Sequence, residues 1–252
     1  MNYEDKKGIE MEHNDKILYI VIPAYNEEEN IETVIRQWYP IVEKFGSLES
    51  RLVIVNDGSK DNTAEKVRSL KSGYSRLVLL NKTNGGHGSA VIHGYRYAIS
   101  KGADYIFQTD SDGQTDPGEF DSFYEAMKEY DAAIGCRPGR EDGIHRAFVE
   151  KVLCMLLRVI FGVRVKDSNA PFRLVKSELL KKYIYKLPKE YTLPNVMLTT
   201  FFCYYHEKVV FIDISFRPRQ GGNNSINIKR IFKIGVRSVR DFIAFRRKML
   251  TY

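Results

Sequence analysis

The sequence predicts an α/β fold: a doubly wound, mostly parallel sheet flanked by helices. Short apolar runs alternate with segments of helical spacing, and three of these runs are followed directly by polar clusters. The near-continuous hydrophobicity of the runs is typical of strands buried on both faces, as in parallel sheets. Strand–helix alternation is typical of the doubly wound class. With 252 residues, 43% of them hydrophobic, the chain can form one large domain.

Six segments are predicted as strands, with helices between and after them. The strands are expected over 17–23, 51–57, 76–81, 104–110, 131–136 and 209–216. The first helix is predicted from apolar residues that recur at helical spacing, Ile31, Val34, Ile35, Trp38, Ile41, Val42 and Phe45. Further helices are expected over 61–71, 87–100, 117–130, 145–161, 176–182 and 194–206.

Composition divides the chain into three parts. Residues 1–15 are polar and are expected to form a flexible lead-in, and residues 16–225 to form the α/β domain. The net charge is +7, and much of the excess lies in residues 226–252, where basic and apolar residues interleave. This last part is predicted to be a basic amphipathic helix. Either it contacts an anionic membrane surface, or its apolar face packs on the domain.

The sequence has no segment typical of a signal peptide and no uncharged apolar run long enough for a membrane span. Its cysteines, Cys136, Cys154 and Cys203, are too few and too far apart for a disulfide framework or a zinc site. The expected location is therefore the cytoplasm, or the inner face of the cell membrane as a peripheral protein.

Polar clusters follow three of the predicted strands: "PAYNEEEN" (23–30), "VNDGSKDNT" (55–63) and "QTDSDGQTD" (108–116). Ligands in open α/β sheets bind beyond the carboxyl ends of the strands, so these clusters are expected to converge on one crevice. Taken singly, the first two have a structural alternative. Each could be only a turn that caps the next helix.

The third cluster is the strongest candidate for chemistry. Asp110 and Asp112 are one residue apart, and carboxylates so close repel each other unless a cation or hydrogen-bond donors compensate. Oxygen ligands suit Mg²⁺ or Mn²⁺, and Gln114 adds a neutral oxygen. A surface loop with incidental charge is the alternative. Asp116, directly before Pro117, is predicted instead to be a helix N-cap.

A glycine-rich segment, "NGGHGSAVIHGY" (84–95), follows the third strand. Gly85, Gly86 and Gly88 would allow close backbone approach and expose amides to a phosphate or sugar at the start of a helix. The segment is an incomplete dinucleotide-binding fingerprint, and it follows the third strand rather than the first. His87 is either a ligand contact or a capping or packing residue.

Together, in this order and at these intervals, "PAYNEEEN", "VNDGSKDNT", "NGGHGSA" and "DSDGQTDP" resemble the family 2 glycosyltransferases, which have the GT-A fold. The resemblance covers about residues 16–220. It extends to the polyprenyl-phosphate branch of the family, which includes dolichol-phosphate mannosyltransferase-like proteins. It implies an inverting, metal-dependent hexosyltransferase that uses a nucleotide-sugar donor.

The resemblance also implies roles for individual residues. Asp57 would contact the nucleotide base, Asp110 would lie near the ribose and diphosphate, and Asp112 would bind Mg²⁺ or Mn²⁺. Gln114 matches a further metal contact of the polyprenyl-phosphate branch. The remaining predicted nucleotide-sugar contacts are Pro23, Ala24, Tyr25, Glu27, Gly85 and Gly88.

Three later segments resemble acceptor-side motifs of the family. "GCRPGREDGIHR" (135–146) supplies Arg137 and Arg146, and "KDSNAPFRL" (166–174) supplies Arg173, with proline where the family usually has glycine. "RQGGNNS" (219–225) supplies Arg219 but lacks the usual lysine. These four arginines are candidate phosphate or acceptor contacts, and Arg219 is also counted among the catalytic candidates. A solvated face is the alternative for each.

The acceptor is predicted to be polyprenyl phosphate, slightly ahead of a cell-surface glycan. A sugar hydroxyl needs a general base, whereas a lipid phosphate is already ionised. Many saccharide-acceptor members carry a Glu-Asp pair late in the domain, and this sequence has none there. Asp167 remains a candidate base or acceptor-orienting group, which completes the predicted catalytic set with Asp110, Asp112 and Arg219.

Two rival functions stay open at this point. A sugar-phosphate nucleotidyltransferase would need a glycine-rich, basic phosphate loop after the first strand, where this chain has the acidic "PAYNEEEN". A nonenzymatic nucleotide or nucleic-acid binder could use the basic tail, but it would leave the acidic pair without a role. Nucleic acid is therefore not expected as a partner.

Overall fold

The structure, a computed structural model, describes residues 15–137, 144–216 and 228–249. In this part of the chain the strands are β1 (Leu18–Ala24), β2 (Arg51–Asn56), β3 (Leu77–Asn81), β4 (Tyr105–Gln108), β5 (Ala132–Cys136), β6 (Arg173–Lys176) and β7 (Val209–Asp213). The helices are α1 (Ile31–Phe45), α2 (Thr63–Leu70), α3 (His87–Ser100), α4 (Phe120–Ala126), α5 (Ile144–Phe161), α6 (Ser177–Ile184), α7 (Pro194–Tyr204) and α8 (Ile228–Met249).

The strands form one sheet in the order β3-β2-β1-β4-β6-β5-β7. Strand β6 runs antiparallel to both of its neighbours, and the other described pairs are parallel. The predicted fold class is therefore confirmed. Strand β6 was missed because it has only four residues, "RLVK", and both its first and its last residue are charged. It becomes a strand because it bonds to neighbours on both sides.

Each central strand supplies side chains to two cores, one on each face of the sheet. In β1, Leu18, Ile20 and Ile22 belong to the core beneath α1, α2 and α4. Tyr19 and Val21 belong to the core beneath α3 and the later helices. Alternate residues of a strand point to opposite faces, so burial on both sides explains the nearly continuous apolar runs.

Helix α3 lies very close to the sheet because Gly94 faces it. A Cβ added at Gly94 would lie 2.3 Å from Val21 Cγ1 and 3.0 Å from Val55 Cγ2. This close packing fixes the start of α3 beside the carboxyl ends of β1 and β2. The glycine-rich segment is thereby held next to the polar clusters that follow those two strands.

Helix α8 packs one face on the domain. Ser238, Phe242 and Met249 are buried, and the rings of Phe242 and Phe161 of α5 have centroids 6.0 Å apart. The segment predicted as a basic helix is thus helical over its described part, and Phe242 and Met249 of this helix pack on the domain. None of the described helices combines the length and the apolar character that a membrane crossing requires.

Candidate active site

A pocket of about 580 Å³ opens at the carboxyl ends of β1, β2 and β4. All four of the motifs singled out in the sequence contribute to its wall, as their positions after the strands predict. The lining residues are Pro23, Ala24, Tyr25, Glu27, Asp57, Gly58, Lys60, Asn84, Gly86, His87, Ala90, Asp110, Ser111 and Asp112. Parallel strands end at one edge of the sheet, which is why segments distant in sequence meet here.

The loops after β1 and β2 are tied to each other by hydrogen bonds. Asn26 N donates to Ser59 Oγ at 3.0 Å, and Lys60 N donates to Asn26 Oδ1 at 2.8 Å. Glu27 N donates to Thr63 Oγ1 at 2.9 Å. The two N-cap residues, Asn30 of α1 and Asn62 of α2, make no side-chain cap. These clusters therefore do more than cap helices: they form one braced wall of the pocket.

Asp57 lines the pocket and also holds the glycine-rich segment in place. Its carboxylate is almost fully buried and accepts hydrogen bonds from Lys82 Nζ, Gly85 N and Gly86 N, the last two at 3.0 and 2.8 Å. A carboxylate has about four acceptor positions, so one remains for a ligand. The predicted contact between Asp57 and a nucleotide base stays a prediction.

The glycines of this segment have roles that the sequence did not separate. Gly86, with φ +85°, lines the pocket, whereas the two predicted contacts, Gly85 and Gly88, do not. A Cβ added at Gly88 would lie 2.3 Å from Tyr191 O and 2.5 Å from Thr192 O. Gly88 is therefore required by the close approach of the backbone at 191–192. Its predicted donor contact stays a prediction.

Replacing Gly88 by alanine is expected to lower the free energy of unfolding by about 1–3 kcal/mol, because the methyl group would overlap two backbone carbonyls. Gly235→Ala in α8 is the matched control, since no heavy atom lies within 4 Å of the added Cβ. That change is expected to be neutral or slightly stabilising, because alanine favours helix more than glycine does. Urea unfolding of both variants compares them, and equal effects would contradict this role of Gly88.

The acidic pair lies in the loop that follows β4. Asp110 Oδ1 accepts from Gln108 Nε2 at 3.3 Å and is 3.8 Å from His87 Nε2. The side-chain oxygen of Gln108 in turn accepts from Asn195 Nδ2 at 2.9 Å and from the Tyr95 hydroxyl at 3.3 Å. A buried polar network of Gln108, Asn195 and Tyr95 therefore fixes the position of Asp110.

The second carboxylate, Asp112, is half-buried and faces the same pocket. Among the described residues, no three His, Cys, Asp or Glu side chains cluster as a complete metal site. Two carboxylates in a pocket suit a hard cation such as Mg²⁺ or Mn²⁺, which commonly takes its other ligands from water and substrate phosphates. The donor set thus fits a divalent cation bound together with a diphosphate.

Gln114 and Asp116 follow the acidic pair in sequence, and neither lines the pocket. Gln114 is buried and is not among the residues that line the pocket, so its metal contact stays a prediction. Asp116 Oδ1 accepts from Gly118 N at 2.9 Å at the start of the short 3₁₀ turn Pro117–Glu119. The prediction of Asp116 as an N-cap is confirmed.

On the acceptor side, two predicted site residues bind each other. Arg137 Nε and Nη2 donate to Asp167 Oδ2 and Oδ1 at 2.7 and 2.9 Å, and both side chains are 5% exposed. Burial by itself lowers the pKa of Arg137, but hydrogen bonding to Asp167 and the charge of that carboxylate raise it above its ordinary value. Asp167 also accepts from Asn169 N, so three donors of the protein hold its buried carboxylate. The predicted role of Asp167 as a base or acceptor-orienting group stays a prediction.

Arg173 is a structural residue and not a surface contact. It is 1% exposed, and it donates to Ala170 O from Nε and Nη2 and to Asn195 O from Nη1. These bonds tie the loop before β6 to the start of α7. Its predicted contact with a phosphate or acceptor stays a prediction, since the described hydrogen bonds of the guanidinium are to the protein. The side chain of Arg146 and the whole of Arg219 lie outside the described residues.

The open α/β sheet, with an acidic pair facing a pocket beyond its strand ends, is the arrangement expected of the GT-A fold. Residues 19–211 match the sequence profile described as Glycosyl transferase family 2. Because this match covers more than half of the chain, the protein belongs to that family.

Curated relatives agree with this assignment. Over 223 residues the chain is 26% identical to an undecaprenyl-phosphate 4-deoxy-4-formamido-L-arabinose transferase of Pectobacterium atrosepticum, a match that covers 87% of this chain and 65% of the relative. It is 33% identical to a dolichyl-phosphate beta-glucosyltransferase of Trichomonas vaginalis over 64% of this chain and 54% of that relative. The chain thus spans less than two thirds of the length of these relatives.

Solved structures with the same fold include two bacterial proteins. Glucosyl-3-phosphoglycerate synthase of Mycobacterium tuberculosis, solved with Mn²⁺ and UDP-glucose, has a TM-score of 0.65 at 19% identity over 92% of this chain and 79% of that one. Staphylococcus aureus TarS, solved with UDP-GlcNAc, has a TM-score of 0.62 at 17% identity over 91% of this chain and 66% of that one. These matches support the fold.

Proposed function

We propose that this protein transfers a sugar from a nucleoside-diphosphate sugar to polyprenyl phosphate, with inversion at the anomeric carbon and with Mg²⁺ or Mn²⁺. The observation that carries the proposal is the meeting of four motifs in one pocket, with Asp110 and Asp112 at one wall and Asp57 at another. The names of the curated relatives support a polyprenyl-phosphate acceptor.

For the donor, the pocket offers a place for each part of a nucleotide sugar. The wall formed by Pro23, Ala24, Tyr25, Glu27 and Asp57 suits the base and ribose, since it joins apolar surface to buried acceptors. At the other end of the pocket, Asp110 and Asp112 are proposed to bind the metal ion and to lie beside the diphosphate. A divalent cation held there would offset the negative charge that develops on the departing nucleoside diphosphate.

Lys60 and His87 also line this pocket. Lys60 was not among the predicted donor contacts, and for His87 a ligand contact was one of two alternatives. Both side chains can donate hydrogen bonds to phosphate oxygens, and Lys60 carries a positive charge. We propose that they contribute to donor binding alongside the acidic pair. Each lies within a motif quoted from the sequence, but the pattern alone did not show which side chains would face the pocket.

For the acceptor, we propose a group that is already ionised. The pairing of the candidate base Asp167 with Arg137 and its bond from Asn169 N support this proposal. A phosphate oxygen needs no base to attack the anomeric carbon as the bond to the leaving diphosphate breaks, whereas a sugar hydroxyl does. Attack from the face opposite the leaving group inverts the configuration.

The test uses purified protein, Mn²⁺ or Mg²⁺, and a panel of radiolabelled nucleotide sugars. Each donor is incubated with polyprenyl phosphate, with the matched polyprenol that lacks the phosphate, or with no acceptor. Of these three conditions, only the one with polyprenyl phosphate is expected to give label in the organic phase. Chelation of the metal by EDTA is expected to abolish the transfer. Transfer to saccharides without any to the lipid phosphate would overturn the proposed acceptor.

The same material distinguishes the two rivals. Release of pyrophosphate from a nucleoside triphosphate and a sugar phosphate would favour a nucleotidyltransferase. Salt-sensitive binding of nucleic acid without affinity for any nucleotide sugar would favour a nonenzymatic binder. A thermal-shift screen of nucleotide sugars with Mn²⁺ identifies the donor, because binding to the folded state raises the apparent melting temperature.

A further inference from the structure

Large apolar side chains are exposed on the outer surface of α5 and α8. Met155 and Val159 of α5 are 58% and 77% exposed, and Ile243 of α8 is 42% exposed. A single exposed apolar residue needs no explanation, but a group on two neighbouring helices indicates an interaction surface. None of these residues belongs to the pocket or to the acceptor-side contacts described above.

In α5, the exposed apolar residues share one face with basic residues. Lys151, Met155, Arg158 and Val159 follow the spacing of one helix face and are all exposed. The opposite face, which includes Leu157 and Phe161, is buried against the domain. The outer face of α5 is therefore both apolar and basic along its described side chains.

Helix α8 repeats this arrangement. Its inner face packs on the domain through Phe242 and Met249, while Arg240, Ile243 and Arg247 are exposed on the other side at i, i+3 and i+7. Helices α5 and α8 pack against each other, with the ring of Phe161 6.0 Å from that of Phe242. The two outer faces therefore belong to neighbouring helices of one surface.

The acidic residues of the described parts of these helices point elsewhere. Glu150 Oε1 accepts from Ser168 N and Oγ at 2.8 and 2.7 Å, on the inner side of α5. Asp241 lines a cavity between α8 and the loop at 186–192. Among the described side chains, the outer faces thus carry positive charge and apolar groups together.

We propose that these outer faces form one docking surface for an anionic bilayer. The α5–α8 face is defined by Lys151, Met155, Arg158, Val159, Arg240, Ile243 and Arg247. Basic residues at such a surface attract anionic headgroups, and apolar side chains among them enter the headgroup–acyl boundary. This inference deepens the proposed function, because a polyprenyl phosphate resides in a bilayer.

The position of α5 connects this surface to the acceptor side of the site. Glu150 of α5 holds Ser168, and the neighbouring Asp167 is paired with Arg137 at the end of β5. A bilayer against the outer face of α5 would therefore be separated from the loop that carries Asp167 by the width of this one helix. The proposed partner of the α5–α8 face is a membrane. The alternative partner is a second copy of the chain, and the experiment must distinguish the two.

The experiment measures co-sedimentation of the full chain with vesicles that contain no polyprenyl phosphate. Binding is expected to vesicles of phosphatidylcholine with 30% phosphatidylglycerol, and to be much weaker to pure phosphatidylcholine or in high salt. Replacing Arg158, Arg240 and Arg247 by glutamine is expected to lower the partition coefficient on the order of 100-fold, since each basic residue contributes about fivefold. Replacing Met155, Val159 and Ile243 by serine is expected to lower it at least tenfold.

A charge-matched control replaces three exposed lysines elsewhere, Lys71, Lys101 and Lys181, by glutamine. It removes the same charge and is expected to keep most of the binding, within about fivefold. Equal losses in both triple variants would show attraction by net charge alone and would overturn the docking surface. Circular dichroism and thermal unfolding verify that each variant is folded.

Transfer to a short, water-soluble polyprenyl phosphate separates this inference from the proposed function. If the wild-type chain performs that transfer but does not bind anionic vesicles, the docking surface is wrong and the function stands. If the chain binds vesicles through the α5–α8 face but transfers no sugar, the proposed function is wrong and the docking surface stands. A dimer in sedimentation velocity that the serine variant dissociates would assign the face to a second copy and overturn the membrane inference.

Discussion

Asp112→Asn is expected to lower kcat/KM for sugar transfer by on the order of 100- to 1,000-fold. The substitution keeps the size of the side chain but removes the charge with which the half-buried carboxylate would hold a divalent cation. Charge stabilisation of a leaving diphosphate by a metal contributes several kcal/mol to the reaction, which corresponds to this loss of rate. Steady-state transfer at increasing Mn²⁺ concentration measures the effect.

Asp116→Asn is the matched control for this variant. Asp116 lies in the same acidic stretch, but its carboxylate caps the 3₁₀ turn through Gly118 N and does not line the pocket. Asparagine is also a good N-cap, so both stability and transfer are expected to stay within about twofold of the wild type. If Asp112→Asn retained full metal-dependent activity, the proposed metal site would be refuted.

The arrangement of the donor pocket was predictable from sequence because its polar residues directly follow the strands in the chain. Each of the first two polar clusters directly follows an apolar strand, and parallel strands end at one edge of a sheet. The order of the strands did not need to be known, since any parallel arrangement brings these ends together. The glycine-rich segment was also found, but which glycine faces the pocket depends on the backbone at 191–192, which packs against Gly88.

The acceptor side was predicted less well because its contacts depend on tertiary packing. Nothing in the sequence separation of Arg137 and Asp167 marks them as a pair, and both types of residue are common in active sites. Arg173 lies within a short strand that sequence periodicity did not reveal, and the burial of its guanidinium follows from pairing with β4 and β5. A single sequence shows that an arginine is available, but not whether it faces solvent, substrate or core.

The buried ion pair of Arg137 and Asp167 is expected to contribute strongly to the free energy of unfolding. Asp167→Leu is expected to lower the free energy of unfolding by about 3–5 kcal/mol, because it leaves the Arg137 guanidinium buried without its partner. Arg137→Met is expected to cost a similar amount, since it leaves the Asp167 carboxylate buried and uncompensated. Urea unfolding monitored by circular dichroism measures both changes.

The double variant, Arg137→Met with Asp167→Leu, shows whether the two residues act as a unit. Apolar replacement of a whole buried ion pair is often close to neutral, so the double variant is expected to be more stable than either single one. This would give a coupling free energy of roughly 3 kcal/mol or more between the two residues. Additive losses would mean that each side chain stabilises the fold through separate contacts. A large coupling instead means that Arg137 and Asp167 stabilise the fold as one buried ion pair.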